Sequence, residues 1–107
     1  MKKLDQETFD EIIYDECEPC LVIFTRQSCH VCQAVKPKLT ELEADYGDRF
    51  GFYMVDVEEQ PKLFQRFGLK GVPQVMFFRD GEFTAKLAGE KDLEAYEKQI
   101  IQILDHT

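Results

Sequence analysis

Four segments of the chain have the length and residue types of β-strands, and the first of them is apolar enough to be a buried strand. They are residues 20–26, 50–58, 74–79 and 82–87. Asp80-Gly81 lies between the last two segments, and an Asp-Gly flanked by apolar runs is the strongest short-range signal of a β-hairpin. The pattern therefore predicts a hairpin preceded by two strong strands. In the second segment the residues expected in the core are Phe52, Met54 and Val55.

Apolar residues at helical spacing predict four helices, at about residues 8–16, 30–46, 61–68 and 90–104. Thr8-Phe9-Asp10-Glu11 matches the capping-box pattern, which predicts that the first helix begins at Thr8. Pro61 suits the first position of the third helix. Pro37 lies inside the second helix and is expected to kink it. The residues expected to face the core are Phe9, Ile12 and Ile13, then Val31, Val35, Leu39, Leu42 and Tyr46, and finally Leu93, Tyr96, Ile100 and Leu104.

The order of these elements predicts an α/β fold. Helices and strands alternate up to the hairpin, and a last helix follows it. Such an order fits a central mixed sheet of four to five strands, flanked on both faces by the four helices. At 107 residues we expect one domain, spanning residues 1–107.

The acidic composition limits the classes of molecule that the protein is expected to bind. The chain has a formal net charge of −8, with 13 basic and 21 acidic residues. Nucleic acids and anionic membranes bind basic patches, so neither is expected as a partner. No apolar run approaches the roughly 20 residues that span a bilayer. Residues 1–7 lack the apolar core of a secretion signal. We therefore expect a cytoplasmic protein, in which a Cys-x-x-Cys is more often catalytic or metal-binding than structural.

Cys29 and Cys32 lie where the first strong strand leads into the second helix. The unpaired N–H groups and the positive dipole end of a helix favour a thiolate over a thiol. No carboxylate occurs from Pro19 through Thr40, although a buried strand would exclude carboxylates in any case. Only the first cysteine can lie at the exposed tip of the turn. We therefore expect Cys29 to be the nucleophile and Cys32 the resolving thiol.

Together with these cysteines, three further motifs complete a pattern that resembles the thioredoxin family over essentially the whole chain. They are Pro37, Gly71-Val72-Pro73, and the Asp80-Gly81 hairpin followed by Gly89. The resemblance implies the thioredoxin fold, with a cis Val72-Pro73 peptide bond packed against the dithiol. It also implies that partner polypeptides lie there as an extended strand. The residues it assigns to that substrate-binding surface are Ser28, Val72, Pro73, Ala88 and Gly89.

Several positions depart from the family pattern. Ser28 stands where thioredoxins usually have Trp, and His30-Val31 stands in place of Gly-Pro. Ile23 and Met54 occupy the positions of the family's buried acid and its lysine partner. Losing both residues together leaves no unpaired charge in the interior. It also removes the usual proton acceptor for the resolving thiol. The family's first strand falls at residues 1–4, where there is too little chain to build it fully.

His30 and Val31, between the two cysteines, are candidates for tuning the redox chemistry. A cationic imidazole beside the thiolate would lower the pKa of Cys29 and make the oxidised form easier to reduce. The alternative is that His30 is an exposed polar residue without a role.

Cys17 and Cys20 form a second Cys-x-x-Cys, outside the thioredoxin pattern. The four cysteines together have a spacing that suggests a zinc or iron–sulfur site. The intervening strand argues against a shared site, because six residues at about 3.3 Å each separate the two pairs. Three interpretations remain open. Cys20 is an ordinary buried thiol beside a turn residue, or the pair is an accessory disulfide, or it is half of an intermolecular metal site.

The leading functional hypothesis is a thiol–disulfide oxidoreductase that exchanges electrons with disulfides or dithiols of partner proteins. It would need disulfide-containing substrate proteins and, for recycling, a reductase or a low-molecular-weight thiol. We expect a monomer that uses no cofactor and no metal. Two alternatives are a thioredoxin-like binding or scaffold module with little redox turnover, and a metal-binding protein that uses both cysteine pairs. The two active-site thiols together with Val72-Pro73 favour the enzyme.

Overall fold

The computed structural model describes residues 1–105. Its centre is a five-stranded mixed sheet in the order β1-β3-β2-β4-β5. The strands are β1 (Lys2–Lys3), β2 (Cys20–Thr25), β3 (Gly51–Asp56), β4 (Gln74–Arg79) and β5 (Glu82–Ala88). β1, β3 and β2 are parallel, whereas β4 runs antiparallel to β2 and β5 antiparallel to β4. The predicted fold class is thus confirmed, with β2 at the centre of the sheet.

The first strand is as short as the sequence predicts. Lys2 and Lys3 pair with Tyr53 and Met54 of β3. The Leu4 N–H then donates to the Met54 carbonyl at 2.8 Å. β1 therefore covers only the middle of the outer edge of β3.

Four helices flank the sheet, as predicted. They are α1 (Gln6–Asp10), α2 (Cys32–Tyr46), α3 (Pro61–Arg66) and α4 (Leu93–Asp105). Pro37 lies inside α2, and Pro61 is at the start of α3. No helix of the described residues is both long and apolar enough to cross a membrane.

The predicted start of the first helix is wrong by about one turn. Asp5, not Thr8, is the N-cap residue. The Thr8 N–H donates to Asp5 Oδ1 at 2.8 Å, and the Asp5 N–H donates to Thr8 Oγ1 at 2.9 Å. These reciprocal bonds satisfy two backbone donors that the helix itself leaves unpaired. Thr8 is therefore the third residue of the helix and the partner of the cap.

A π-helical segment, Glu11–Asp15, continues α1 and was not predicted. The Glu16 N–H donates to the Glu11 carbonyl at 2.8 Å, five residues back. This wider turn is compatible with burial of the adjacent side chains Ile12 and Ile13. The segment thus contains two consecutive core residues.

The sheet separates two hydrophobic clusters. The face covered by α1 and α3 carries one cluster, whose β2 members are Cys20, Val22 and Phe24. The other face, covered by α2 and α4 and called here the α2–α4 face, includes Leu21 and Ile23. This alternation is the two-residue periodicity of a strand buried on both faces.

One of the predicted core residues lies outside the core, and four others are only partly buried. Val31 is 43% exposed, because it precedes α2 in the turn instead of belonging to the buried stripe of the helix. Met54 is only partly buried, although it packs against the cluster on the α2–α4 face. Tyr46, Leu93 and Leu104 are also only partly buried and pack against that same cluster.

The Asp80-Gly81 hairpin is confirmed. Asp80 and Gly81 have φ angles of 54° and 79°. Positive φ at both central residues is what a tight two-residue hairpin turn requires, and Asp and Gly tolerate it well.

Candidate active site

Cys29 and Cys32 form a disulfide, with Cα atoms 5.3 Å apart. Cys29 lies in the turn between β2 and α2, where its N–H donates to the Arg26 carbonyl at 3.2 Å. Cys32 is the first residue of α2. Cys29 is partly exposed and Cys32 is fully buried. The sulfur of Cys29 is therefore the more accessible of the two.

The start of α2 directs a hydrogen-bond donor at Cys29. The Cys32 N–H donates to Cys29 Sγ at 3.1 Å. Val31, the N-cap residue, provides no side-chain cap, and the first turn contains no acidic residue. An uncapped N-terminal N–H and the positive dipole end of the helix stabilise negative charge on a nearby sulfur. This geometry favours a thiolate at Cys29 once the disulfide is reduced.

The charged side chains from the turn to the middle of α2 are basic. Arg26 and Lys36 make no ion pair with any other described residue. Lys38, further along α2, bonds to Glu90 at 2.9 Å and to the Lys91 carbonyl at 2.8 Å. The hydrogen bond that Lys38 donates to the Glu90 carboxylate raises the pKa of Lys38. His30 is exposed in the turn, so its tuning role stays a prediction.

The cis peptide bond between Val72 and Pro73 is confirmed. Strand pairing places it at the same end of the sheet as the disulfide. Gln74, directly after Pro73, pairs with Phe24 near the carboxyl end of β2, where the turn to Cys29 begins. Pro73 is buried, and Val72 is half-buried against the cluster under α1 and α3.

Gly89 adjoins this element on the other side. Its N–H donates to the Pro73 carbonyl at 2.9 Å, and Ala88 pairs with Gln74. Gly89 has a φ of 72°, a conformation that favours glycine. Ala88 and Ser28 are exposed. The structure thus brings Pro73 and Gly89 together, while the role of this surface in substrate binding stays a prediction.

Apolar residues occupy the two positions at which thioredoxins usually have a buried acid and its lysine partner, and these positions are adjacent on neighbouring strands. Ile23 of β2 and Met54 of β3 are register partners. Ile23 is fully buried among aliphatic and aromatic side chains on the α2–α4 face. No carboxylate therefore lies at the middle of the central strand, below the disulfide.

Sequence reasoning missed two buried polar residues at the end of the same strands. Thr25 ends β2 and Asp56 ends β3, and the two are register partners. Thr25 is 2% exposed and Asp56 is 7% exposed. Each is a polar residue at the carboxyl end of an otherwise apolar strand, a pattern that does not by itself distinguish a buried residue from one exposed in the following loop.

The second cysteine pair lies at the other end of β2. Cys20 is the first residue of that strand, and Cys17 lies in the preceding loop with a φ of 54°. Both are free thiols. Cys17 is exposed, and its thiol donates to the Tyr14 carbonyl at 3.5 Å. Burial, and secondarily the Glu18 carboxylate, raises the pKa of the Cys20 thiol well above its usual range.

This arrangement favours the interpretation of Cys20 as a buried core thiol beside a turn residue. A disulfide between Cys17 and Cys20 is absent from the structure. Within residues 1–105, no group of three or more His, Cys, Asp and Glu side chains is placed to hold a metal ion. The two pairs are separated by the length of β2.

Alkylation should distinguish the two free thiols. Iodoacetamide at neutral pH is expected to modify Cys17 in the native oxidised protein and to leave Cys20 unmodified. The thiolate is the reactive form, and burial both raises the pKa of Cys20 and blocks access to its sulfur. Peptide mass spectrometry would locate the label, and unfolding in urea provides the control in which both residues react. Equal labelling of both thiols in the folded protein would contradict the assignment of Cys17 as the exposed thiol and Cys20 as the buried one.

Comparison with known proteins adds to this geometry. A family model described as Thioredoxin matches residues 1–102. Thioredoxin M4 of Arabidopsis thaliana, a chloroplastic protein, is 33% identical over 86 residues, which are 80% of this chain and 45% of that protein. A thioredoxin of Rhodospirillum rubrum is 29% identical over 89 residues, covering 83% of this chain and 86% of that protein. This chain thus matches less than half the length of the first relative and most of the second.

The same similarity holds in three dimensions. The solved structure of Plasmodium falciparum thioredoxin superposes with a TM-score of 0.86 at 25% sequence identity. The superposition covers 95% of this chain and 98% of that one.

Proposed function

This chain belongs to the thioredoxin family, whose members are disulfide oxidoreductases, and on that premise we propose that it exchanges electrons with disulfides of partner proteins through Cys29 and Cys32. The observation that carries the proposal is the hydrogen bond from the Cys32 N–H to Cys29 Sγ. It supports Cys29, the more exposed sulfur, as the thiolate that attacks.

The reaction has two steps of thiol–disulfide exchange. The Cys29 thiolate attacks one sulfur of the partner's disulfide, forming a mixed disulfide and releasing the partner's other sulfur as a thiolate. Cys32 then attacks Cys29 Sγ, which releases the partner and closes the Cys29–Cys32 disulfide. Burial of Cys32 supports this order, because an external disulfide reaches Cys29 first.

The partner is a polypeptide that lies in extended form beside Val72 and Pro73, with Ser28, Ala88 and Gly89 around it. The exposure of Ser28 and Ala88 and the bond between Gly89 and Pro73 support this location. Main-chain hydrogen bonds would hold such a strand without strong sequence specificity. A reductase or a low-molecular-weight thiol regenerates the dithiol, and the cytoplasm is the proposed compartment.

Trapping of the mixed disulfide tests this function. Cys32→Ser is expected to accumulate covalent complexes with disulfide-containing proteins, because attack by Cys29 still occurs and the resolving sulfur is missing. Incubation with oxidised insulin, or affinity purification from lysate under non-reducing conditions, would reveal these complexes. They should disappear on addition of dithiothreitol.

The matched control is the double variant Cys29→Ser/Cys32→Ser, which should trap nothing. Complexes of equal yield with the double variant would show that another thiol, such as the exposed Cys17, is responsible. An absence of complexes with Cys32→Ser would favour the alternative of a binding or scaffold module. The missing Trp and the apolar pair Ile23 and Met54 are the observations that favour that alternative.

A further inference from the structure

Thr25 and Asp56 stand out among the buried side chains at the active-site end of the sheet. Apart from tyrosine and cysteine, they are the polar residues of the described chain that are more than nine-tenths buried, at 2% and 7% exposure. They are register partners on the parallel strands β2 and β3. Partners in a parallel pair place their side chains on the same face of the sheet. Thr25 and Asp56 thus occupy adjacent positions on one buried face, although no hydrogen bond joins their side chains in this oxidised structure.

That location is where the resolving cysteine enters the core. Thr25 alternates with Leu21 and Ile23, both on the α2–α4 face, so its side chain is on that face. α2 connects two parallel strands and must run back along the sheet, so its first residue lies at the carboxyl end of β2. Cys32 is that first residue, and it begins the buried stripe of the helix that continues with Val35. Cys32 and Thr25 therefore occupy the same end of the same interface.

The Thr25 hydroxyl has no hydrogen-bond partner in this oxidised structure. Buried hydroxyls are nearly always paired, because an unpaired one loses its hydration without replacement. The Cys32 sulfur is held in the disulfide here and gains a proton and rotational freedom when that bond opens. Reduction thus supplies a buried S–H group at the end of the sheet that holds the unpaired Thr25 oxygen.

Asp56 has one carboxylate oxygen without a donor at the same end of the sheet. Its Oδ1 accepts from the backbone N–H groups of Glu58, at 2.9 Å, and Glu59, at 3.3 Å. Its Oδ2 accepts no hydrogen bond from the described residues and is open to a further donor. No other described carboxylate is buried to this extent, and the strand interior offers only Ile23 and Met54.

We propose that Thr25 and Asp56 form the proton relay that activates Cys32. The inference rests on the proposed function, since it concerns the second step of that reaction. Both hydrogen bonds of the relay form only after reduction, when the Thr25 side chain rotates between the two groups: the Cys32 thiol then passes its proton to Thr25 Oγ1 while the Thr25 hydroxyl passes its own proton to Asp56. The resulting Cys32 thiolate attacks Cys29 Sγ and breaks the mixed disulfide. The electron pair leaves on the partner's sulfur, which takes a proton from water.

Single-turnover kinetics separates this step from the first one. Reduced protein is mixed with a fluorescent peptide disulfide, and acid quenching with mass analysis follows the mixed disulfide as it forms and decays. Thr25→Val removes the hydroxyl at nearly constant shape, and Asp56→Asn retains an oxygen for the two backbone donors. Each variant is expected to slow decay of the mixed disulfide by about tenfold or more, within the range of a general-base contribution. Formation should be unchanged, because it depends on Cys29.

Two controls distinguish a relay from a structural effect. Thr25→Ser keeps the hydroxyl and should restore decay to within about twofold of the unmodified protein. The double variant Thr25→Val/Asp56→Asn should be no slower than the slower single variant, because groups that act as a unit are not additive. Urea unfolding would verify that every variant is folded. Thr25→Val is expected to fold normally, since it removes only an unpaired buried hydroxyl.

Decay in Thr25→Val within twofold of the unmodified protein would overturn the relay, and so would Thr25→Ser being as slow as Thr25→Val. Slow decay in Thr25→Val with normal decay in Asp56→Asn would overturn the assignment of Asp56 as acceptor. If no mixed disulfide forms in the unmodified protein, the proposed function itself fails. That outcome is distinct from formation followed by unaltered decay.

Discussion

Replacement of Cys29 by serine is expected to lower disulfide reduction by at least about 10³-fold, the scale on which loss of a covalent nucleophile acts. A serine hydroxyl at this position is neutral at pH 7. The Cys32 N–H that stabilises a thiolate would then face a weakly nucleophilic oxygen. Cys32 is fully buried and cannot replace Cys29 toward a protein substrate. Turbidity from insulin reduction in the presence of dithiothreitol measures the loss.

Cys17→Ser is the matched control for this variant. It makes the same chemical change at an exposed thiol that lies at the other end of β2. Its activity should equal that of the unmodified protein if Cys17 is a turn residue. Lower turnover in Cys17→Ser, or in Cys20→Ser, would instead support an accessory redox pair. Retention of activity in Cys29→Ser would contradict the assigned nucleophile.

Strands and turns that have a distinctive local sequence could be predicted from the sequence alone. The apolar run that became β2 is buried on both faces, so its composition was sufficient evidence. Asp80-Gly81 specified the hairpin because few dipeptides adopt positive φ at two successive residues. The cis bond before Pro73 had no such local signal and was expected only from the family resemblance.

Element boundaries were less predictable where two local patterns overlap. Asp5 and Glu11 both lie three residues from Thr8, so Thr8 fits a capping box either as the cap or as its partner. Local sequence does not choose between these two arrangements. Helical spacing alone extends the buried stripe of α2 one residue too far toward the N-terminus, to Val31. The structure begins α2 at Cys32 instead.

The polar residues at the strand ends were unpredictable for a different reason. A threonine or aspartate that ends a strand is usually exposed in the following loop. Thr25 and Asp56 are instead buried in the structure, side by side on neighbouring strands that are distant in sequence. The chemistry of a site assembled in this way depends on tertiary packing, which composition and periodicity do not encode.

Placing the family's acid back into this interior should be strongly destabilising. Ile23→Asp is expected to lower the free energy of unfolding by about 3–5 kcal/mol at pH 7, the cost of an unpaired buried charge. That loss is a large fraction of the free energy of unfolding of a typical domain, which is roughly 5–15 kcal/mol. Ile23 is fully buried, and its register partner Met54 supplies no cation. Urea unfolding measures the change.

Ile23→Asn is the matched control, because it has nearly the same shape and no charge. Burial would raise the folded-state pKa of an aspartate at position 23 above its unfolded value. The folded protein then binds more protons than the unfolded one, so the stability of Ile23→Asp should rise as the pH falls from 7 to 4 relative to Ile23→Asn. Parallel pH dependence of the two variants would contradict this explanation.

Met54→Lys in the Ile23→Asp background should recover part of the lost stability. Lysine at position 54 lies on the adjacent strand in register with the new carboxylate. Contacting charges of opposite sign typically show coupling of about 0.5–3 kcal/mol in a double-mutant cycle. A coupling near zero would mean that the pair no longer fits the repacked interior. The native Asp56 carboxylate does not need a buried cation as a partner, because two backbone N–H groups stabilise it.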